Sequence, residues 1–426
     1  MVIISIKNMN LRMAEFQNKK VKSLYLHNLA TPYYLRYQKF IDSQEKTILD
    51  IGCGNGDKIL ILAEANPQAR IIGIDIATES IKVAEQHCQD RGFSNVDFQV
   101  LSIEDLPQLN LEFDYINCDN VLSFSQNIAR DLQVMKSVLK PEGIIRANLH
   151  SVLQRDYFYR GQKAFEILGL MDRIPQEREA AIAREVITAL KDNTHLKLAT
   201  WDRQKETDLQ WYLTNYLQQG DRGYEIPDMF AAIAQAGLEF ISMVNWQQWN
   251  LLDLFTDLDD LPTFWAMSLP AMSVEEQLQV FELLHPIHAS LDFWCGHPQP
   301  NQILPVEEWT VADWQGARVS LHPQLKTAQF QADILSSIAQ ASPVELNQYW
   351  PILETSVVIE STTAASLLPL WTEAQGVRSL TQHWLKIKPV DPATLIPIAE
   401  PEAFNAIRQI LTELERYHCV LLERLP

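Results

Sequence analysis

The stretch Thr47-Ile48-Leu49-Asp50-Ile51-Gly52-Cys53-Gly54-Asn55-Gly56-Asp57 decides how the first half of this 426-residue chain folds. Its opening residues are largely apolar and read as a buried strand. Three glycines at alternate positions then turn the chain. An apolar helical stretch from Lys58 to Ala65 comes next, stopped by Asn66-Pro67. Glycines let backbone approach a ligand closely, and a helix N-terminus offers free N–H groups to an anion. Two details set this turn apart from the dinucleotide fingerprint Gly-x-Gly-x-x-Gly. The third glycine is Gly56, and Asp57 stands where that fingerprint wants glycine. Asp50, inside the strand, also places a carboxylate where a pyrophosphate would be repelled. An oxidoreductase is therefore the least favoured of the nucleotide-binding classes.

Working outward, Arg70 to Asp75 reads as a second strand closing on an acid, and a carboxylate there suits the two hydroxyls of a ribose. Thr78 to Asp90 is expected to be a helix, with Thr78 as N-cap and Gly92 past its end. Val96 to Leu101 and Phe113 to Cys118 are further strands. Ile128 to Leu139 is a helix ended by Lys140-Pro141-Glu142-Gly143, and Ile144 to Leu149 is the fifth strand. This alternation predicts an α/β fold with a doubly wound, parallel sheet that binds ligands beyond the carboxyl ends of its strands. Helices over Tyr157 to Leu170 and Gln176 to Leu190 then interrupt the rhythm. It resumes with a helix from Ile226 to Gln235, carrying Pro227 in its first turn and Gly237 as C-cap, and a sixth strand from Leu238 to Val244.

Beyond residue 250 the composition shifts to Trp, Pro, Leu and Gln. Ser273-Val274-Glu275-Glu276 has the form of a capping box and starts a helix reaching His285. Ile334, Leu335 and Ile338 mark one amphipathic helix. Ile407, Ile410, Leu411 and Leu414 mark another, before a strand-like Cys419-Val420-Leu421-Leu422. Trp249, Trp265, Trp294, Trp309 and Trp314 read as core or inter-domain packing. The expected organisation is an N-terminal cap segment over 1–45, a ligand-binding domain over 46–250 with a helical insertion near 157–225, and a mainly helical accessory domain over 251–426.

Charge bounds the partners. There are 35 basic residues against 54 acidic ones, a net charge of −19, and no basic block, which disfavours nucleic acid as a partner. No stretch approaches the roughly 18 apolar residues of a membrane span. Met1 to Ile6 is short, is interrupted by Lys7 and lacks the order of a signal peptide, so the expectation is a cytoplasmic protein without a membrane partner. Cys53, Cys88, Cys118, Cys295 and Cys419 are scattered, and no second ligand pair stands near Cys295 and His297, so no metal site is expected.

Taken in order, ILDIGCGNG, IIGIDIATESIKVAEQ, FDYINCDNVLSF and VLKPEGIIRANLHS resemble the successive motifs of the class I S-adenosylmethionine-dependent methyltransferases, over roughly residues 25 to 160. The resemblance implies a Rossmann-like fold, S-adenosylmethionine as cofactor and methyl transfer as the activity. By position, Asp50, Gly52, Cys53, Gly54 and Gly56 would line the methionine and ribose part. Asp75 would hold the ribose hydroxyls, Ile76 would pack on the adenine, and the backbone of Cys118 would lie near the methionine amine. Ser102 stands where the family often has an Asp for the adenine amine, with Ile103 and Glu104 as alternative contacts. Ser123 and Phe124 stand where many relatives carry a His pair.

The methyl sulfonium is already activated, so an in-line nucleophile is the main requirement and no catalytic triad is expected. His150, Arg155 and Tyr34 are the candidates on the acceptor side. His150 would act as a base, Arg155 would pair with an anionic acceptor, and Tyr34 belongs to the aromatic segment expected to cap the site. The stretches ANLHSVLQR and GYEIPDMFAAIAQAGLEFIS resemble bacterial class I enzymes that carry a C-terminal accessory domain. DPATLIP, with the helix and the VLLE stretch after it, is loosely similar to the winged-helix-like regulatory domain of such enzymes. The acceptor class implied is a small molecule or a protein, and the C-terminal domain would make a regulatory or protein–protein contact. The alternatives are a non-catalytic sensor of the cofactor and, less favoured, a nucleic-acid methyltransferase. For the latter, the end of the fourth strand reads Asn117-Cys118-Asp119-Asn120, without the Asn/Asp-Pro-Pro-Tyr/Phe motif of base methylation.

Overall fold

A computed structural model describes residues 19–300, 303–350 and 357–425. Met1 to Ile6 and the rest of the segment before residue 19 lie outside the described residues. The chain divides into two compact units. The first is Met1–Val100 with Phe113–Tyr115 and Gln299–Pro426, and the second is Leu101–Glu112 with Ile116–Pro298.

In the first unit, β2 (Arg70–Asp75) runs parallel to β1 (Thr47–Ile51) on one side and to β3 (Val96–Val100) on the other. β1 and β2 are almost wholly buried because helices over Asp57–Ala65 and Thr78–Asp90 turn apolar faces inward, Ile59 and Leu62 from one, Ile81 and Ala84 from the other. The second helix begins at Thr78 itself, and Ala77 takes the N-cap position. Thr78 is not the cap, because the Asp75 carboxylate already accepts the Ala77 N–H at 2.8 Å and sets where the helix starts.

β4 (Phe113–Cys118) is buried throughout, its first three residues belonging to the first unit and its last three to the second. In the second unit, β5 (Leu139–Ser151) is far longer than expected and takes in the Lys140–Gly143 stretch read as a turn. The helix before it accordingly stops at Ser137 rather than Leu139. The reason is a neighbour that sequence assigned to the accessory domain. β8 (Ser290–Gly296) lies antiparallel to β5, with Ile144 opposite Gly296 and His150 opposite Ser290, and antiparallel to β7 (Glu239–Met243) on its other edge. Asp292 of β8 forms a two-pronged ion pair with buried Arg146 of β5, at 2.6 and 3.0 Å. The sheet therefore reaches beyond residue 250, to Gly296. A short strand, β6 (Gly223–Tyr224), lies parallel to the end of β5 at His150 and Ser151.

The helical insertion starts earlier than Tyr157. Ser151 accepts the Gln154 N–H and caps a helix over Val152–Ile167. Helices over Glu177–Ala189, His195–Thr200 and Leu209–Tyr216 come next, around a core of Phe165, Ala183, Ile187, Tyr212 and Tyr216. The helix from Ser273 has the expected capping box, with His285 at its C-cap.

The C-terminal part of the first unit is helical around a three-stranded antiparallel sheet, in which Ala317–Leu321 lies between Gln375–Gly376 and Val420–Arg424. Residues 25–34 pack on it. The Tyr25 ring meets Trp350 edge-on at 4.7 Å, and Thr31 Oγ1 lies 3.1 Å from His322 Nε2. Tyr34 donates to Glu415 at 2.7 Å while accepting the Leu422 N–H at 3.2 Å. These aromatics are buried by the C-terminal elements.

Two substitutions probe the packing of the first unit. Gly56 holds φ +92°, and a Cβ there would lie 3.0 Å from the backbone of Ala84. Gly56→Ala is expected to lower stability by roughly 1–3 kcal/mol, read from urea unfolding midpoints. The second concerns acid. Burial holds the buried His322 well below the ordinary imidazole range, with His418 adding to the effect, and takes His418 down to about 3. The unfolded chain protonates these rings near pH ~6.5, before the folded one does. Stability is therefore full above that pH and falls between about 6.5 and 3 as the unfolded state gains protons. His418 sits at φ 53°, a conformation asparagine tolerates, so His418→Asn should flatten the fall between pH 7 and 4.

Candidate active site

The glycine turn is held by β2. Gly52 N–H and Cys53 N–H both donate to the Ile74 carbonyl, at 2.8 and 3.0 Å, and Gly54 N–H donates to Asp75 Oδ2 at 3.0 Å. Gly52, Gly54 and Gly56 all have positive φ, at 71°, 52° and 92°. Asp50 is buried beneath the turn. The Cys53 thiol is pushed up by burial and by the Asp50 and Asp75 carboxylates, so it stays protonated and offers backbone and bulk rather than a nucleophile.

Three observations in this unit fit an adenosyl ligand. A Cβ built on Gly54 would meet nothing within 4 Å, so the turn opens on free space. Asp75 accepts one backbone N–H on each carboxylate oxygen, from Gly54 and Ala77. A carboxylate has about four acceptor sites, which leaves a pair for a ribose diol. Beside it Ile76 is 78% exposed, an apolar side chain on a loop with the size and position to lie against a purine.

The second unit carries the remaining predicted residues. Ser102 precedes a short 3-10 helix over Ile103–Leu109 and donates its hydroxyl to Asp105 at 2.9 Å. Ile103 is half-buried and Glu104 exposed. Cys118 closes β4 and is fully buried. The loop after it is locked by buried Asn148 of β5, whose side chain accepts the Asn120 N–H at 2.8 Å and donates to Asp119. Sequence reading missed Asn148, because an asparagine within an apolar strand gives no signal until the neighbouring loop is in place.

At the carboxyl end of β5 the structure gathers His150 and Arg155 around a residue that sequence reading did not single out. His150 Nδ1 lies 2.6 Å from Asp221 Oδ1, and Arg155 donates to Asp221 Oδ2 at 2.9 Å. Gln162 donates to the same Oδ2 at 3.2 Å, and the Tyr159 hydroxyl donates to Oδ1 at 3.4 Å. The Asp221 side chain is fully buried. Burial alone would raise its pKa, yet the hydrogen bond and charge of His150, the Arg155 guanidinium and Gln162 together hold it below the usual carboxylate range. Arg155 also donates to Asn215 at 3.2 Å and lies over the Phe158 and Tyr159 rings. Buried and engaged in this way, it is not free to receive an anionic acceptor. Ser123 accepts the His150 N–H at 2.7 Å, and the Phe124 ring stands edge-on 5.9 Å from the imidazole. Tyr34 belongs to the first unit and has both hydroxyl functions engaged, with Glu415 and Leu422.

A glycine turn after β1, an acid closing β2 and a mostly parallel sheet flanked by helices define the class I methyltransferase type. Comparison with known proteins agrees. Residues 42–226 match the family described as a methyltransferase domain. An uncharacterized protein of Synechococcus is 29% identical over 270 residues, covering 62% of this chain and 63% of that protein. A ubiquinone biosynthesis O-methyltransferase of Actinobacillus pleuropneumoniae is 34% identical over 133 residues, covering 30% of this chain and 55% of that enzyme. The chain thus spans less than two thirds of the length of these curated relatives. Among solved structures, PKMT2 from Rickettsia typhi, also determined in complex with AdoHcy, shares the fold. Its TM-score is 0.58 at 17% identity, covering 94% of this chain and 75% of that one. The match places a methyltransferase domain at residues 42–226, and the solved structure shows its fold to be that of the class I enzymes.

If Asp75 holds a ribose diol through its two remaining acceptor sites, Asp75→Ala should weaken S-adenosylmethionine binding by roughly 1–3 kcal/mol, measured calorimetrically. Unchanged affinity would place the ribose elsewhere.

Proposed function

We propose that this protein transfers the methyl group of S-adenosylmethionine to a small-molecule or protein acceptor. Asp75 carries the reading, with acceptor capacity to spare beside exposed Ile76 at the rim of an open glycine turn. In the proposed assignment Asp50, Gly52, Cys53, Gly54 and Gly56 line the methionine and ribose side. Asp75 binds the ribose, and Ile76 covers one adenine face. When bound, the cofactor supplies an electrophilic methyl carbon on a cationic sulfur. The protein's part is to hold that carbon and the acceptor in line and to exclude water.

The acceptor class is drawn from the domain's relatives, one of which is named as an O-methyltransferase of ubiquinone biosynthesis. The net charge of −19 supports an acceptor other than a nucleic acid. No helix among the described residues is long and apolar enough to cross a membrane. The C-terminal elements, which bury the aromatics of residues 25–34, form an accessory part suited to a regulatory or protein contact.

Two measurements test this reading. In calorimetry, S-adenosylmethionine and its demethylated product should both bind, and NAD should not; NAD binding alone would overturn the assignment. Tritiated methyl transfer into a cell extract, separated into metabolite, protein and nucleic acid, should label one of the first two. Binding with no labelled acceptor in any fraction would instead indicate a cofactor sensor.

A further inference from the structure

Two cavities adjoin along the last helix, Glu400–Arg416, and both lie within the first unit. One, of about 500 Å³, is lined by the consecutive residues Val357 to Glu360 and by Leu414. The other, of about 360 Å³, has Glu307 and Trp314 in its lining. Gln409 and Glu413 belong to both linings, so the two form one groove. Ile359, Leu414 and Trp314 are almost fully buried and give it an apolar floor. Its lip is acidic. Glu307, Glu360 and Glu413 are exposed, and among the described residues none of their carboxylates has an ion-pair or hydrogen-bond partner. Arg408 is the one cation in either lining, and it is likewise unpaired, so the groove carries surplus negative charge. Burial raises the Glu415 carboxyl on the same helix, and the Glu307 charge adds to the rise. The floor holds an unanswered donor as well. The Trp309 indole N–H donates to the Leu304 carbonyl at 3.1 Å, whereas that of Trp314, a residue 2% exposed, has no hydrogen-bond partner among the described residues. A buried indole N–H ordinarily finds an acceptor.

We infer that this groove docks an extended, lysine- or arginine-bearing segment of another protein. The inference rests on the accessory role proposed above for the C-terminal elements and is independent of the cofactor assignment. Such a segment answers all three features at once. Its basic side chains meet the carboxylates of the lip, its apolar side chains cover the floor, and its backbone carbonyls offer an acceptor to the Trp314 N–H. The dimensions agree. From Arg408 to Tyr417 the helix path rises about 14 Å at its usual pitch, the length of roughly four extended residues. A lone metal ion would leave the apolar floor uncovered. Nucleic acids and anionic lipids would be repelled by the same carboxylates. A second copy of this chain would bring one net charge of −19 towards another.

The test uses the full chain and a fluorescein-labelled peptide in which lysine alternates with leucine, beside a counterpart with glutamate in place of lysine. Fluorescence anisotropy should rise with the lysine peptide and stay flat with the other. Glu307→Gln, Glu360→Gln and Glu413→Gln, all at exposed positions, should each weaken binding about threefold, the scale of one surface ion pair. Added salt should weaken it further. In proton–nitrogen correlation spectra the Trp314 indole signal, assigned with Trp314→Phe, should shift as the lysine peptide is added. Equal binding of the two peptides, binding of neither, an affinity unchanged in all three glutamine variants, or an unmoved Trp314 signal would each overturn the inference. Self-association of the full chain in competition with the peptide would overturn it too, and would assign the groove to a second copy. Calorimetric binding of S-adenosylhomocysteine should be the same in the glutamine variants as in the unaltered protein, showing that they are folded. Failure of the unaltered protein to bind it would sink the cofactor reading and leave the groove to be judged on the peptide result.

Discussion

One backbone carbonyl organises the glycine turn of the first unit. Ile74 O receives the N–H groups of both Gly52 and Cys53, and the next residue, Asp75, takes the N–H of Gly54 through its side chain. Three successive amides of the turn after β1 are thus anchored on the last two residues of β2. Such bonds require the chain to bend sharply at each glycine, and the positive φ values of Gly52, Gly54 and Gly56 are what that bending demands. The turn is therefore rigid without any ligand, and rigidity before binding limits the entropy lost on binding.

A similar economy governs the second unit, where one buried carboxylate arranges several side chains. Asp221 lies on the loop between the helical insertion and β6, far in sequence from His150 and Arg155, yet it is the group both of them engage. A buried charge must be paired and hydrogen-bonded to persist. Here that requirement draws an imidazole, a guanidinium, an amide and a phenol to one point, and so specifies their geometry. The same bonds that settle the charge also orient the imidazole.

Local features of the sequence were the most legible. The bounds of β4, the Ile226–Gln235 helix and the Ser273 capping box arise from alternation, proline placement and cap chemistry, all set by near neighbours. What escaped was decided by distant pairing. Residues 140–143 looked like a turn because Pro and Gly usually interrupt regular structure, but β8 lies alongside β5 and draws them into the strand. β8 itself, Ser-Leu-Asp-Phe-Trp-Cys-Gly, was hidden by a composition typical of a packed domain interior. For the site, the glycine turn and Asp75 announced themselves by spacing. Asp221 and Asn148 did not. The role of Asp221 exists only once residues 71 and 66 positions away are brought to it, and that of Asn148 only once Asp119, 29 positions away, is in reach.

The aromatic segment over residues 25–34 has a consequence for how this chain is made. Thr31 meets His322 across 291 residues, and Tyr34 meets Leu422 across 388. During synthesis Tyr25 and Tyr34 leave the ribosome long before the residues that bury them. The first unit cannot close until Val420–Arg424 emerges, because the strand that receives Tyr34 is that last one. The second unit, by contrast, has all its residues out by Pro298. The central portion of the chain is thus available before the residues that complete the first unit.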